Sequence, residues 1–201
     1  LMDNPYSAVL MDFPTREKRY AEFLYGECKN VRDFIAKGMT AHAETLRAEI
    51  EYARFNEDKC GGFMNWMYSD IWPSATWAVV DYYLEPKQAY YQMKKSYAPV
   101  LLTYVDTKDG LNLALINDTQ KILTAKITYG EKTLDGRVLR SDFIDATVEG
   151  GSVFGKIVNK ETQEKNSYLF AEAVIGGEKV TTVCSADMWR NCKFNGDYYY
   201  T

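Results

Sequence analysis

Hydrophobic and polar positions change period partway along the chain, and the change divides it in two. Up to about residue 95 the apolar spacing is mostly helical. Leu1 to Pro14 reads as irregular, with Pro5 and Pro14 as breakers. Thr15 then precedes a short helical run, Arg16 to Leu24, that stops near Gly26. Asn30 is placed to cap a long helix, with Asp33 as its acidic capping partner. Phe34, Ile35, Met39, Ala43, Leu46, Ile50 and Ala53 recur on one face of that helix, which is expected to end near Asn56.

Gly61-Gly62 opens a different segment. Phe63-Met64-Asn65-Trp66-Met67-Tyr68 is an apolar run of strand length, which as a strand would be buried on both faces. Ser69 to Ser74 must be a loop, because Pro73 and its neighbours cannot continue a ladder. Trp77 to Tyr83 follows, and Pro86 can start a helix running through Tyr90, Tyr91 and Lys95. A helix, a buried strand, a loop and another helix is the alternation of a parallel sheet or barrel.

From Pro99 the period is two. Val100–Asp106, Leu111–Ile116, Ile122–Gly130, Arg137–Thr147, Ser152–Val158, Tyr168–Ile175 and Lys179–Cys184 are strand candidates. Between them lie the turn signals Asp109-Gly110, Asn117-Asp118, Asp135-Gly136, Gly150-Gly151 and Gly176-Gly177. Leu123, Ala125, Ile127 and Tyr129 alternate with Thr124, Lys126 and Thr128, as in a half-buried strand. The strands suggest an immunoglobulin-like sandwich, and the fold class expected is α+β. Ser185 to Thr201 has no clear period, and its Asp197-Tyr198-Tyr199-Tyr200-Thr201 end reads as truncated.

Composition removes several function classes. The chain has 201 residues, 46% hydrophobic and 26% charged, with a net charge of −4 and no basic cluster. That argues against nucleic acid, which is held by Lys and Arg set against phosphates. The aliphatic content is too high for a disordered chain, and no apolar run approaches the ~20 residues of a membrane span. One His excludes metal sites built on several imidazoles. That residue, His42, lies inside a helical pattern without a Gly-x-Ser-x-Gly elbow, and reads as a surface or packing residue. Cys28, Cys60, Cys184 and Cys192 form no Cys-x-x-Cys pair and are too sparse for a disulfide scaffold. Gly130-Glu131-Lys132-Thr133 lacks the upstream glycine of a phosphate loop. No metal or cofactor is expected. Modest cysteine use and no visible export signal lean towards the cytoplasm.

The aromatic residues are unevenly placed: 11 of 29 fall between Phe63 and Tyr104, including Trp66, Trp72 and Trp77. Aromatics of this kind fill cores and domain interfaces. Trp72, however, precedes Pro73 in a polar loop. A Trp platform beside a carboxylate and an amide suits a pyranose ring, and Trp66, Asn65 and Asp70 offer such a set.

Gly62 to Pro73, Thr76-Trp77, Asp81-Tyr82-Tyr83, Pro86-Lys87, Ala89-Tyr90-Tyr91 and Ala98-Pro99-Val100 closely resemble glycoside hydrolase family 2, nearest to its β-mannosidases and exo-β-glucosaminidases, with β-galactosidases in the same family. Tyr25-Gly26, Asn30 to Phe34 and Ala41 to Arg54 are similar to the family's penultimate barrel helix. The likeness runs over roughly residues 20 to 105. Ser69 stands where the family usually has Asn, and Thr76 where it usually has Ser.

The resemblance implies a fold, an activity and a site. Residues 1–95 would be the last helices and final strand of a (β/α)8 TIM-barrel catalytic domain, 96–184 an immunoglobulin-like β-sandwich, and 185–201 a tail or the start of a further domain. The parent enzyme would be a retaining, exo-acting β-glycosidase, favouring β-mannoside-like substrates and using two glutamates. Glu17, Glu22 and Glu27 do not sit in the family's Asn-Glu or Ser-Glu strand context, so the catalytic pair is expected outside this chain, which alone would be inactive. Trp66, Asp70 and Trp72 match the sugar-facing end of the eighth strand and its loop. Asp81, Tyr82 and Lys87 read as structural. A barrel needs about 250 residues, so the apolar faces of one repeat are expected to pack on the sandwich or to pair with another copy. The other class of function compatible with the sequence is a non-catalytic sandwich module for carbohydrate binding or interdomain scaffolding.

Overall fold

The computed structural model describes residues 13–73, 76–185 and 187–192, with side chains from Thr15 onward. The expectations for Leu1 to Asp12 and for the Asp197 to Thr201 end lie outside these residues. Three helices come first: α1 (Phe13–Tyr25), α2 (Val31–Phe55) and α3 (Gln88–Ser96). Seven strands follow: β1 (Val100–Thr107), β2 (Gly110–Asn117), β3 (Leu123–Thr133), β4 (Val138–Val148), β5 (Ser152–Ile157), β6 (Ser167–Ile175) and β7 (Glu178–Cys184). A 3₁₀ turn at Trp189–Asn191 closes the described chain, with the Arg190 guanidinium over the Phe23 ring of α1 at 5.0 Å.

Helix α2 starts where its cap dictates. Asn30 is extended, and its Oδ1 accepts from the Asp33 N–H at 2.9 Å. Asp33 does not return to the Asn30 N–H; it accepts from the Lys29 N–H at 2.9 Å and from the buried Lys37 ammonium at 3.1 Å. Lys37 also donates to the Gly26 and Glu27 carbonyls, tying the end of α1 to the first turns of α2. Helix α1 opens at Phe13, which puts Pro14 in the first turn, where a missing N–H costs no helical bond.

The strands form two antiparallel sheets, β1-β2-β5 and β4-β3-β6-β7. Leu102, Leu113 and Leu115 from the first sheet meet Ile127, Leu169 and Ala171 from the second in one core. In β3 buried and exposed positions alternate as the sequence pattern predicts, whereas β2 is buried along nearly its whole length. The cause is α2, which covers the outer face of the first sheet. The Phe55 ring lies against Gly155 of β5, and Glu51 bonds to Thr103 of β1. The β6–β7 hairpin turns on Gly176-Gly177 with φ of 61° and 87°, the left-handed pair a two-residue connection needs.

One expectation fails. Phe63–Tyr68 is no strand and is not buried: the segment is irregular, with bends at Trp66 and Tyr68, and Met64 is 94% exposed and Trp66 77%. A strand needs a ladder, and among the described residues this stretch is followed by a single parallel bridge, between Ser69 and Val80. The α/β alternation read from this region therefore yields a local loop, not a sheet, among the described residues.

A second core seats that loop. Ala43, Leu46 and Ile50 of α2 pack with Ala89 of α3 and with Val79 and Val80. The junction with the sandwich is polar. Glu51, buried, accepts from Ser96 Oγ at 2.7 Å and from Thr103 Oγ1. Arg54 donates to the Ser96 carbonyl, to the Ala98 carbonyl at 2.9 Å and to Asp118 Oδ2 at 2.8 Å. The last turns of α2 thus hold both the link from α3 to β1 and the loop from β2 to β3.

Candidate functional site

The loop from Gly61 to Lys87 rests on backbone bonds made by very few residues. Val80 N–H donates to the Tyr68 carbonyl at 2.9 Å, and Asp70 N–H returns to the Val80 carbonyl at 3.0 Å. Lys87 N–H donates to the Val79 carbonyl at 2.9 Å. Because Val79 and Val80 are buried against α2, this narrow seat is rigidly placed while the flanking residues project outward.

Asp70 is the pivot of the seat. Its side chain is closed from solvent at 1% exposure; one oxygen accepts from the Lys87 ammonium at 2.7 Å and the other from the Thr76 hydroxyl. The carboxylate therefore braces the loop against the residue that precedes α3. Asp81 plays a similar local part, accepting from the Tyr83 and Glu85 N–H groups at 2.8 and 2.9 Å. That turn holds Leu84 at φ 67°, a conformation side chains rarely adopt.

The aromatic side chains lie on the outside of this frame. Trp66 is 77% exposed and Trp72 42% exposed, and Met64, Tyr68, Ile71 and Tyr83 are exposed with them. The Asn65 amide donates to the Met67 carbonyl at 2.9 Å, back onto its own loop. Of the residues singled out from sequence, Trp66 and Trp72 are thus presented to solvent, and Asp70 lies beneath them in the chain's support.

Two adjoining clefts, about 360 and 450 Å³, run between α1, α2 and the 76–89 stretch and share Glu17, Gly38, His42 and Thr76. Sequence reading left this cluster unassembled, because its members are far apart in the chain and none carries a motif. Burial pushes the His42 imidazole down to about 4, and the Lys87 charge acts in the same direction. Burial raises the Glu17 carboxyl, with Lys87 opposing. Glu22 is held below the usual carboxylate range chiefly by the Cys28 N–H, which it accepts at 3.0 Å. Glu17 lies against Gly38 of α2, whereas Glu22 turns to the Cys28 N–H. Among the described residues no cluster of His, Cys, Asp and Glu could hold a metal ion, and no helix is long and apolar enough to cross a membrane.

Helices with an aromatic-rich loop, continued into a two-sheet sandwich, are what this chain shares with parts of known glycoside hydrolases. No family model matches the chain. Its homologues, over about half of its length, are family 2 enzymes: β-mannosidases B and an exo-β-D-glucosaminidase. β-Mannosidase B of Aspergillus niger is 35% identical over 106 residues, which are 48% of this chain and 12% of that protein. The exo-β-D-glucosaminidase of Amycolatopsis orientalis is 31% identical over 104 residues, 50% of this chain and 10% of that protein. β-Mannosidase B of Thermothelomyces thermophilus is 51% identical over 41 residues, 20% of this chain and 5% of that protein. The fold agrees: a β-D-mannosidase from Dictyoglomus thermophilum superposes with a TM-score of 0.82 over 91% of this chain and 23% of its own, at 19% identity. An exo-chitosanase from Amycolatopsis orientalis gives 0.68 over 83% of this chain and 21% of its own, at 23% identity. The chain spans about a tenth of the length of the curated relatives it matches.

The titration of His42 gives a test of this part of the structure. A base whose folded pKa lies near 4 binds fewer protons folded than unfolded between about pH 4 and 6.5, so its contribution to stability is present above that window and is lost as pH falls through it. The raised Glu17 has the opposite slope, because the folded state there binds more protons. In urea titrations His42→Gln is expected to lose less stability than the unaltered chain between pH 7 and pH 5. Equal losses would contradict the buried, neutral imidazole.

Proposed function

We propose that this chain is the end of a catalytic (β/α)8 barrel and the immunoglobulin-like sandwich that follows it in a retaining, exo-acting β-glycosidase, with β-mannosides as the favoured substrates. The observation that carries the reading is Trp66: an indole 77% exposed on a loop whose base is fixed by a buried Asp70–Lys87 pair, in a chain whose homologues are β-mannosidases B. Such an indole offers the flat apolar face on which the C–H side of a pyranose stacks. Trp72 borders the same loop, and Asp70 serves substrate binding by holding both tryptophans' backbone in place.

Retaining hydrolysis needs an acid/base and a nucleophilic carboxylate about 5–5.5 Å apart. Glu17 packs against Gly38, Glu22 takes the Cys28 N–H, and Glu51 is buried in the junction with the sandwich. None of these is beside Trp66 in the chain or free to act as such a pair, which supports placing the catalytic glutamates in other parts of the parent enzyme. The chain's own part is to bind and orient the sugar.

A panel of aryl β-glycosides (manno, galacto, glucosaminide and glucuronide) assayed on the full-length parent tests this. The mannoside should turn over fastest, and Trp66→Ala should lower kcat/KM about tenfold or more, the equivalent of one lost stacking contact. The chain alone should hydrolyse none of them. A full-length protein inactive on the whole panel would favour a non-catalytic binding or scaffolding module instead.

The exposed Met64, Tyr68, Ile71 and Leu84 are, on the same reading, covered by other parts of the parent. The isolated chain should then self-associate through them, seen by light scattering as a dimer or larger species. A clean monomer that binds no apolar dye would contradict this.

A further inference from the structure

On one side of the sandwich the edge strands of the two sheets, β4 and β5, stand next to each other and leave a pocket of about 280 Å³. Tyr104 of β1 and Leu169 of the inner strand β6 form its apolar floor, and Ile157, 57% exposed, forms a lip. Gly130 also lines it, at a point where β3 runs close to β4: a Cβ there would lie 2.1 Å from the Arg140 carbonyl oxygen.

The walls are polar and come from both sheets. Tyr129 and Asp142 are a cross-strand pair, and the Tyr129 hydroxyl donates to Asp142 Oδ2 at 3.2 Å. Lys156, from the opposite sheet, reaches over the gap and donates to the Tyr129 hydroxyl at 3.1 Å, its ammonium 5.3 Å from the ring centre. That single bond leaves two ammonium protons, and no carboxylate lies within ion-pair distance of Lys156 among the described residues. Asn159 also lines the pocket, and its amide nitrogen makes no hydrogen bond among the described residues. Arg140 is committed elsewhere, its Nε 3.3 Å from the buried Glu131 and its Nη2 on the Glu161 carbonyl.

The charges decide the class of ligand. Arg140 is balanced by Glu131, and Lys156 by Asp142 across the Tyr129 hydroxyl, so the pocket carries no net charge to hold an anion. What it offers is a carboxylate that accepts, an ammonium and an amide that donate, and an apolar floor. This is the complement of a polyhydroxylated ring with hydroxyl edges and a C–H face. The volume sits just below the roughly 300 Å³ at which drug-sized ligand sites begin, which suits one sugar residue.

We propose that this pocket is a second carbohydrate site, binding one neutral pyranose residue between Asp142, Lys156 and Asn159. It lies in the sandwich and does not depend on the glycosidase reading, since a non-catalytic module could carry it equally.

Saturation-transfer NMR on the purified chain, with methyl β-D-mannopyranoside and methyl β-D-glucopyranoside as probes and glucuronate as the charged comparison, tests it. Neutral probes should bind with dissociation constants on the order of millimolar, as expected for so small a ligand. Asp142→Asn and Lys156→Met should each weaken binding at this pocket about tenfold, and glucuronate should bind there more weakly. Amide shifts on the unaltered chain, which need no variant to fold, should centre on Tyr129, Asp142, Lys156 and Asn159. Absence of shifts at those residues, shifts there that survive both sandwich variants, or tighter binding of glucuronate there would each overturn the proposal.

Discussion

The structure depends on two adjacent turns of α2. Glu51 and Arg54 sit one turn apart on the same helical face, and between them they bind the Ser96 hydroxyl, the Ser96 and Ala98 carbonyls, Thr103 and Asp118. A buried carboxylate is tolerated only when its lone pairs are met, and here two hydroxyls meet them. Breaking such an arrangement from one side typically costs about 3–5 kcal/mol, because the remaining partner is left buried and unpaired. The price of the junction is thus specificity of placement rather than added adhesion. An apolar contact could slide; this one fixes the helix to one register on the sheet.

From that register the rest follows. Phe55 is carried onto Gly155, which explains why β2 is buried on both faces although its sheet is an outer layer of the sandwich. On the opposite flank, Leu46 and Ile50 present the surface that receives Val79 and Val80. The loop bearing Trp66 and Trp72 hangs from those two valines and is braced by Asp70 and Lys87. The sugar platform proposed for this loop would need this stiffness, since a misplaced stacking surface loses its binding value. The sandwich is therefore a mount for the loop as well as a folding unit.

Much of this was legible in the chain. All seven strands fall within a few residues of their periodic segments, because alternation and glycine turns are local signals that tertiary contacts here reinforce. The Asn30 cap and the Asn56 end of α2 were equally local. Phe63–Tyr68 failed for the converse reason: its apolar run describes what the segment can pair with, and no partner strand lies in the described residues. At the site, Trp66 and Trp72 could be picked out by type and context, whereas the burial of Asp70 depends on Lys87, seventeen residues on, and Thr76. The Glu17–His42 cleft and the pocket of Tyr129, Asp142 and Lys156 join residues from separate elements, and no spacing rule connects them.

The central claim is that the Glu51–Arg54 junction makes α2 and the β1-β2-β5 sheet one cooperative body. Native-state amide hydrogen exchange measures this directly, since each amide reports the free energy of the opening that exposes it. The account predicts that the C-terminal half of α2 and strands β1 and β2 share one opening free energy, and that Glu51→Ala splits them while β3 and β6 keep theirs. An α2 that opens well below the sheet in the unaltered chain would contradict it.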